Sequence, residues 1–589
     1  MSNKFATFLV MALILSGVSC KPAGHSGKEY SAVKCDVSSL PDAQSFVADL
    51  FRSRIEERTP SSGCAATLKV KFLFDPSLDG ERAEINVRRG KAVVRGARFR
   101  SLVAGAGELL RAISYGEQAF CLSDTVLTFA PAKPFRQVYF GRHFDNWYHR
   151  APAEKMLRYI DDMALWGMNA VHTILNYPAV DAAHSTDADK VAFAAVSNAL
   201  ASRVRALDMD LTVSGGGNIA PSDMPEEFRA TLNTDWRRGG NEWCVCPEIP
   251  GAMDYLLGVK KDHISQLAGL PISGIEFWPY DEGGCGCPLC SPWGGRGYVK
   301  LIERYRHLFD DAFPGCLKLV STWCFDDADW ERFYEFLRNQ DWVDYIVADS
   351  HGEFPKYPLN HPLPEGVRLI TFPEISMWGR YPWGSFGAIA TPARFERLFR
   401  QAESISSGCQ LYSEGLFEDL NKFVVNGLYK NPSMHADDLL REYARYEFPG
   451  CNEEDFVAFV HILEETHETY VEGTENDYFV KSYIVNGPSG ELSRRQKVCA
   501  ENLALAEKME SEMLPAMRLS WRWRVLKLRA VIDNQLYSTR QVHNAVLDDA
   551  YRELVDIYCA EEQMKGVAKG YGGHTCPPIL EEYLNEKNN

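Results

Sequence analysis

Between Phe135 and Tyr429 the chain alternates short apolar stretches with amphipathic ones, and it does so eight times. The apolar stretches are RQVYFGRHF, NAVHTIL, MDLTVSGGG, GIEFWPYDEGG, CLKLVSTWCF, VDYIVADSHGE, VRLITFPEISMW and CQLYSEG. Rich in β-branched and aromatic residues and lacking strict alternation, they have the pattern of strands covered on both faces. The segments between them, such as AEKMLRYIDDMALWG and GYVKLIERYRHLFDDAF, space their apolar residues at the helical period. This alternation predicts a (β/α)8 barrel over residues 135–431. A doubly wound open sheet, the alternative, usually stops at about five or six strands.

The flanks differ from the barrel. In residues 30–134, ATLKVKFLF and AEINVRRGKAVVRG alternate apolar and polar residues as half-buried strands do, and SLVAGAGELLRAI reads as a helix. This predicts a small α/β domain closed by Pro131 and Pro134. From 432 to 589 only helical periods recur, in HADDLLREYARYEF and in the long run from Ser520, which predicts a helical C-terminal domain. At the N-terminus, Lys4, the apolar run Phe5–Leu15 and the small residues before Cys20 form a signal segment too short to span a bilayer. Residues 1–20 therefore read as a lipoprotein signal with lipid on Cys20, which places the protein at the outer membrane of a Gram-negative bacterium, periplasmic or at the cell surface. Its only membrane contact would be that anchor. The net charge of −17 argues against a nucleic-acid partner, which requires a basic face.

A barrel of this kind carries its chemistry at the C-terminal ends of its strands. Those ends hold Arg142, His143, Asp145, Asn146 and Trp147, then Asn176 and Tyr177, then Asn218. Trp278, Tyr280, Asp281 and Glu282 follow the fourth strand, and Trp323, Asp326 and Asp327 the fifth. Asp349, His351 and Glu353 follow the sixth, Glu374, Trp378 and Arg380 the seventh, and Tyr412, Ser413 and Glu414 the eighth. Carboxylates beside aromatic faces suit glycosidic cleavage, in which a carboxylic acid protonates the leaving oxygen and rings pack on the sugar. The adjacent pair Asp281–Glu282 stands out. Like charges in one cleft raise one pKa and keep a group protonated as a general acid. The structural alternative is a pair of acids favouring a helix start.

An Asp-Glu pair directly after the fourth strand is similar to that of the β-hexosaminidases of glycoside hydrolase family 20. DEGGCGCPLC and YSEGLFEDLNKFVVNGLYKNPSMHADDLLREY resemble still more the family 163 endo-β-N-acetylglucosaminidases, which act on complex N-glycans. The resemblance covers residues of about 40 to 450. It implies substrate-assisted retention, with Glu282 as acid and base and Asp281 orienting the 2-acetamido group, and no cofactor. It also implies an acetamido pocket walled by Trp278, Trp323 and Trp378 and a donor to the acetamido oxygen, for which Tyr412 is the candidate. Arg142, Asp145, Asn176, Tyr280, His351, Glu374 and Glu414 are candidates for contacts to the glycan or glycoprotein substrate. Two other functions fit the same chain: another barrel glycosidase such as an α-glucuronidase, or a non-catalytic glycan-binding lipoprotein.

Cys285, Cys287 and Cys290 follow the acid pair, and Cys244 and Cys246 follow the third strand. Adjacent strands bring these loops together. A disulfide or free thiols is the first expectation, a structural metal the second and a catalytic metal the third.

Overall fold

The computed structural model describes residues 27–60, 65–143, 145–177, 185–221, 224–231, 244–279, 284–350, 352–373, 388–468, 489–539 and 544–562. The signal segment with Cys20, and the site candidates Tyr280, Asp281, Glu282, His351, Glu374 and Trp378, lie outside the described residues.

The N-terminal sheet contains β1 (Lys28–Asp36), β2 (Ala66–Phe74), β3 (Ala83–Arg88), β4 (Lys91–Gly96), β5 (Ser114–Tyr115), β6 (Phe120–Leu122) and β7 (Thr125–Phe129). Their spatial order is β5-β6-β1-β2-β4-β3-β7. The β3–β4 hairpin turns on Arg89 and Gly90, both at positive φ, which matches the right-handed twist of the strands. Helix α1 (Val47–Arg58) and helix α2 (Phe99–Arg111) pack against this sheet. The sequence patterns give β2 to β4, α2 and β7 but not β1 or α1. The inner face of α1 explains the latter: it carries Arg54 and Arg58, both buried in ion pairs, so its apolar stripe is interrupted.

The barrel strands are β8 (Phe135–Phe140), β9 (Ala170–Thr173), β10 (Asp210–Gly216), β11 (Gly274–Phe277), β12 (Leu317–Ser321), β13 (Tyr345–Asp349), β14 (Arg368–Phe372) and β15 (Ser406–Ser413). Every neighbouring pair is parallel, and β15 pairs with β8 to close the ring, as the eightfold alternation predicts. The outer helices are α3 (Ala153–Trp166), α4 (Asp187–Ala206), α5 (Ala252–Gln266), α6 (Gly297–Ala312), α7 (Asp327–Leu337), α8 (Pro392–Ala402) and α9 (Asp419–Lys430), with a short helix at Lys356–Asn360 after β13. Gly167, at φ 95°, ends α3 in a left-handed cap and turns the chain into β9.

Helix α2 has two buried faces. Its Gly105 lies on Val94 and Ala83 of the sheet. Its Gly107 meets α3 so closely that an added Cβ would sit 1.8 Å from the Leu165 carbonyl oxygen. The glycine is what lets the two backbones touch.

Helices α10 (Ala436–Glu447), α11 (Glu453–Glu468), α12 (Ser489–Glu512), α13 (Trp521–Thr539) and α14 (Ala545–Tyr558) follow the barrel. Buried charges join them to the rest. Arg522 of α13 pairs with Asp419 of α9 at 2.9 Å and with Asp162 of α3 at 3.0 Å. Asp162 also pairs with Arg54 of α1 at 2.8 Å, and Arg58 pairs with Glu447 of α10 at 2.6 Å. The two arginines flanking Asp162 hold its carboxyl well below the usual carboxylate range, against the opposing effect of burial. Among the described residues, no helix is long and apolar enough to cross a membrane.

Candidate active site

Inside the barrel, side chains pointing inward from alternate positions stack in layers. The lower interior is apolar, with Phe135, Leu319, Tyr345, Val347 and Ile370 in one cluster. One side of the middle layer is polar. Gln137 Nε2 donates to Thr212 Oγ1 at 2.9 Å and to Gln410 Oε1 at 2.7 Å, and Gln410 Nε2 donates to Glu276 Oε2 at 2.7 Å. His172 Nδ1 lies 3.1 Å from the same Glu276 oxygen and 2.9 Å from Thr212 Oγ1. Burial pushes the Glu276 carboxyl up to about 8 and the His172 imidazole down to about 3, so both groups are driven toward their neutral forms. Their contact is then a neutral hydrogen bond and not an ion pair. Glu276 was legible only as a lone carboxylate within the strand GIEF.

Above this layer the mouth is aromatic. Trp278 lies 5.5 Å from Trp323 and 5.1 Å from Phe372 between ring centroids. Phe372 continues to Tyr412 at 6.0 Å, Tyr412 to Tyr139 at 5.2 Å, and Tyr139 to His172 at 4.2 Å. The arc thus runs from β11 through β14 and β15 to β9. It presents faces of the kind that pack against the C–H surfaces of a sugar.

Tyr412 is fixed by polar contacts on two sides. Its hydroxyl donates to Glu414 Oε1 at 2.8 Å and lies 3.0 Å from His143 Nε2. Burial pulls His143 down to about 3, so the ring is neutral near pH 7 and the phenol oxygen can accept from its Nε2–H. The turn that carries Glu414 is itself held by Glu418. Glu418 Oε1 accepts from the backbone N–H of Glu414 at 3.1 Å and of Gly415 at 3.4 Å, and bonds the Ser413 hydroxyl. Lys422, fully buried, pairs with Glu418 at 3.4 Å and donates to the Gly415 carbonyl at 2.6 Å. Sequence reasoning placed Tyr412 and Glu414 at the rim but missed Glu418, whose signal is a carboxylate close behind SEG in YSEGLFED.

Three rim candidates have other roles. Arg142 is fully enclosed: it donates to the carbonyls of Tyr148 and Ile174 and to Ser197 Oγ, and it stacks 3.7 Å over Phe193. With no open face, it leaves the set of sugar-binding candidates. Asp145, at φ 54°, is engaged by Arg150, whose Nε donates to it at 2.7 Å. Asp326 caps α7 in a capping box with Asp329. Asn176 stands half-buried just beyond β9, beside Tyr177.

The segment bearing Asp281 and Glu282 is flanked on both sides by one side chain. Trp293 Nε1 donates to the Pro279 carbonyl at 3.1 Å. Gly284, at φ 65°, lies against the Trp293 ring so closely that an added Cβ would come within 2.1 Å of it. Pro279 and Gly284 are the last described residues before and the first after the acid pair. Just beyond, the Sγ atoms of Cys246, Cys285, Cys287 and Cys290 lie within 4.8 Å of one another. Cys244 is buried but stands outside this group. Among the described residues no disulfide joins the two loops, so that expected alternative is not found there.

No protein-family model matches the chain, and no curated protein matches it. Solved structures do match, at the level of fold. One is a family GH115 4-O-methyl-α-glucuronidase with specificity for decorated arabinogalactans; the TM-score is 0.59 at 10% identity, over 91% of this chain and 78% of that one. Another is a family 89 glycoside hydrolase from Clostridium perfringens in complex with PUGNAc, with a TM-score of 0.59 at 12% identity, over 88% of this chain and 64% of that one. A third, a GH138 enzyme targeting pectin rhamnogalacturonan II, gives 0.55 at 10% identity, over 91% of this chain and 73% of that one.

The fold is one that glycoside hydrolases carry. Three features are shared in kind: the closed parallel barrel, the mixed sheet before it and the helices after it.

Proposed function

We propose that the protein is a glycoside hydrolase that cleaves β-N-acetylglucosaminidic bonds in glycans, acting as an endo-enzyme on complex N-glycans in the manner of family 163. The observation that carries this proposal is the Tyr412 hydroxyl, held between His143 and Glu414 at the edge of an aromatic mouth. It offers a fixed oxygen for the acetamido group and ring faces for the sugar, on the rim that also bears Asp281 and Glu282 in sequence. In the proposed reaction the substrate's acetamido oxygen attacks the anomeric carbon. The glycosidic C–O bond breaks, and the leaving oxygen takes its proton from Glu282. Asp281 accepts the acetamido N–H as the oxazolinium ion forms. Glu282 then takes a proton from water, whose oxygen opens the oxazoline ring. Lipid on Cys20 would anchor the enzyme to the outer membrane, facing the periplasm or the cell exterior.

A second specificity comes with the structural likenesses. A family 89 relative from Clostridium perfringens was solved with its substrate GlcNAc-α-1,4-galactose, so the α-anomer is a competing linkage. A glucuronidase would need cations at the mouth for the uronate. Among the described residues, Arg142 is enclosed and Arg150 is taken up by Asp145 and Asp189, while Arg380 of the same rim lies outside them, so glucuronide cleavage stays an outcome of the test.

The test is a panel of α- and β-N-acetylglucosaminides, glucuronides and intact complex N-glycans read by mass, with Glu282→Gln beside the wild type. Release from β-linked substrates, reduced by orders of magnitude in Glu282→Gln with an unchanged melting curve, is the expected result. Wild-type activity in that variant, or cleavage confined to α-linkages or glucuronides, would overturn the proposal.

A further inference from the structure

Four sulfur atoms from two loops meet behind the strand end that leads to the acid pair. Cys246 Sγ lies 3.9 Å from Cys287 Sγ and 3.9 Å from Cys290 Sγ, and the four with Cys285 fall within 4.8 Å of one another. A disulfide needs a sulfur separation of about 2.05 Å. A tetrahedral zinc ion with Zn–S bonds of about 2.3 Å sets its sulfurs about 3.8 Å apart. The two 3.9 Å separations match the second arrangement, and the whole group, within 4.8 Å, is far closer to it than to a disulfide pairing.

The loops are built for it. Cys246 and Cys287 each precede a proline, and the chain turns at once after each. Backbone N–H groups two residues on point back at the sulfurs, Glu248 to Cys246 and Cys287 to Cys285. Such N–H donors offset the negative charge of metal-bound thiolates. The N–H of Cys290 and of Ser291 both donate to the Cys287 carbonyl, at 3.0 and 2.9 Å, closing the turn between the last two ligands. Cys246, Cys285 and Cys290 are buried and Cys287 is half-buried, so the group is shielded but reachable. Buried thiols packed for their apolar character alone have no reason to converge from two loops on one point.

We propose that Cys246, Cys285, Cys287 and Cys290 bind one structural zinc ion as a tetrathiolate site. The ion would clamp the loop after β10 to the loop after β11. No protein ligand is left to exchange for water, so the site is closed and its role is bracing. This inference does not rest on the proposed glycan specificity.

The full-length chain, purified without chelators, should contain one zinc per molecule by elemental mass spectrometry, released by an organomercurial in step with thiol blocking. Cys290→Ser should lose most of that zinc, while Cys35→Ser, outside the cluster, should keep it. Where Cys290→Ser fails to fold, exchange of the wild type into cobalt(II) gives a second readout, the sulfur-to-cobalt charge-transfer and tetrahedral d–d bands of a thiolate site. Iron in place of zinc would overturn the choice of metal. A metal-free protein with four alkylatable thiols, a peptide map linking Cys246 to Cys287 or Cys290, or zinc unaffected by Cys290→Ser would overturn the site.

Discussion

The Trp293 indole donates to the Pro279 carbonyl at 3.1 Å and packs its ring on Gly284, so one side chain contacts the chain on both sides of residues 280–283. A strand end that carries chemistry needs its exit direction fixed to within a fraction of an ångström. Trp293 is buried and its contacts are made from one rigid ring, which has few rotamers to explore.

Replacing Trp293 separates packing from hydrogen bonding. Trp293→Phe keeps much of the ring and removes the donor, at a stability cost of about 1 kcal/mol. Turnover should fall more than that small loss of stability would suggest. Trp293→Ala opens a cavity worth about 3–5 kcal/mol in addition. Thermal melts and initial rates on the same preparations check both variants.

Tyr412→Phe keeps the ring in the aromatic arc and deletes the hydroxyl held by His143 and Glu414. At rest that hydroxyl gives its one proton to Glu414, and in the proposed complex it would turn that proton to the acetamido oxygen; loss of such a donor typically costs about a hundredfold in turnover. The expected outcome is a fall of that order in kcat with a near-normal melting temperature. A rise in KM alone, with kcat intact, would assign the hydroxyl to holding Glu414 and not to the reaction.

Glu276 sets a pH signature. Its folded-state carboxyl is raised from 4.5 to about 8 by burial, so the folded protein holds this proton more tightly than the unfolded chain does. The linked stability is complete below about pH 4.5 and is lost as pH rises toward 8. Glu276→Gln has no proton to lose. Its melting temperature should gain on that of the wild type between pH 5 and 8. Parallel curves across that interval would mean that the carboxyl ionises as it does in water.

Arg522→Ala leaves Asp162 and Asp419 buried with fewer partners. Breaking a buried pair on one side costs about 3–5 kcal/mol. Arg522→Lys restores charge but not the paired geometry and should fall between the alanine variant and the wild type. Urea unfolding followed by tryptophan fluorescence measures the ranking.

The barrel was legible because strands such as LKLVS and RLITF are covered on both faces, so their apolar runs survive as contiguous letters. Helix α1 was not, because its inward side chains include Arg54 and Arg58, whose partners Asp162 and Glu447 are more than a hundred residues away. The rim residues Tyr412, Glu414, Trp278 and Trp323 were placed from their positions after strands. Arg142 has the same sequence credentials, yet it turns into carbonyls supplied by Tyr148 and Ile174, a choice that only tertiary packing makes. Trp293 carries no local signal of its positioning contacts, and Glu418 only that of a carboxylate close behind SEG. The cysteine spacing announced a cluster, and the geometry separates Cys244 from the four sulfurs that meet.

Helix α2 serves at once as the cover of the N-terminal sheet and as an added stave against the barrel's outer ring, with Gly107 in contact with Leu165. Neither layer can therefore be lifted off intact. A chain cut before Phe135 would bare the apolar flank of α3, and an isolated sheet domain would bare the opposite face of α2. The two were fitted to a shared surface, and substitutions at Gly107 would be felt by both.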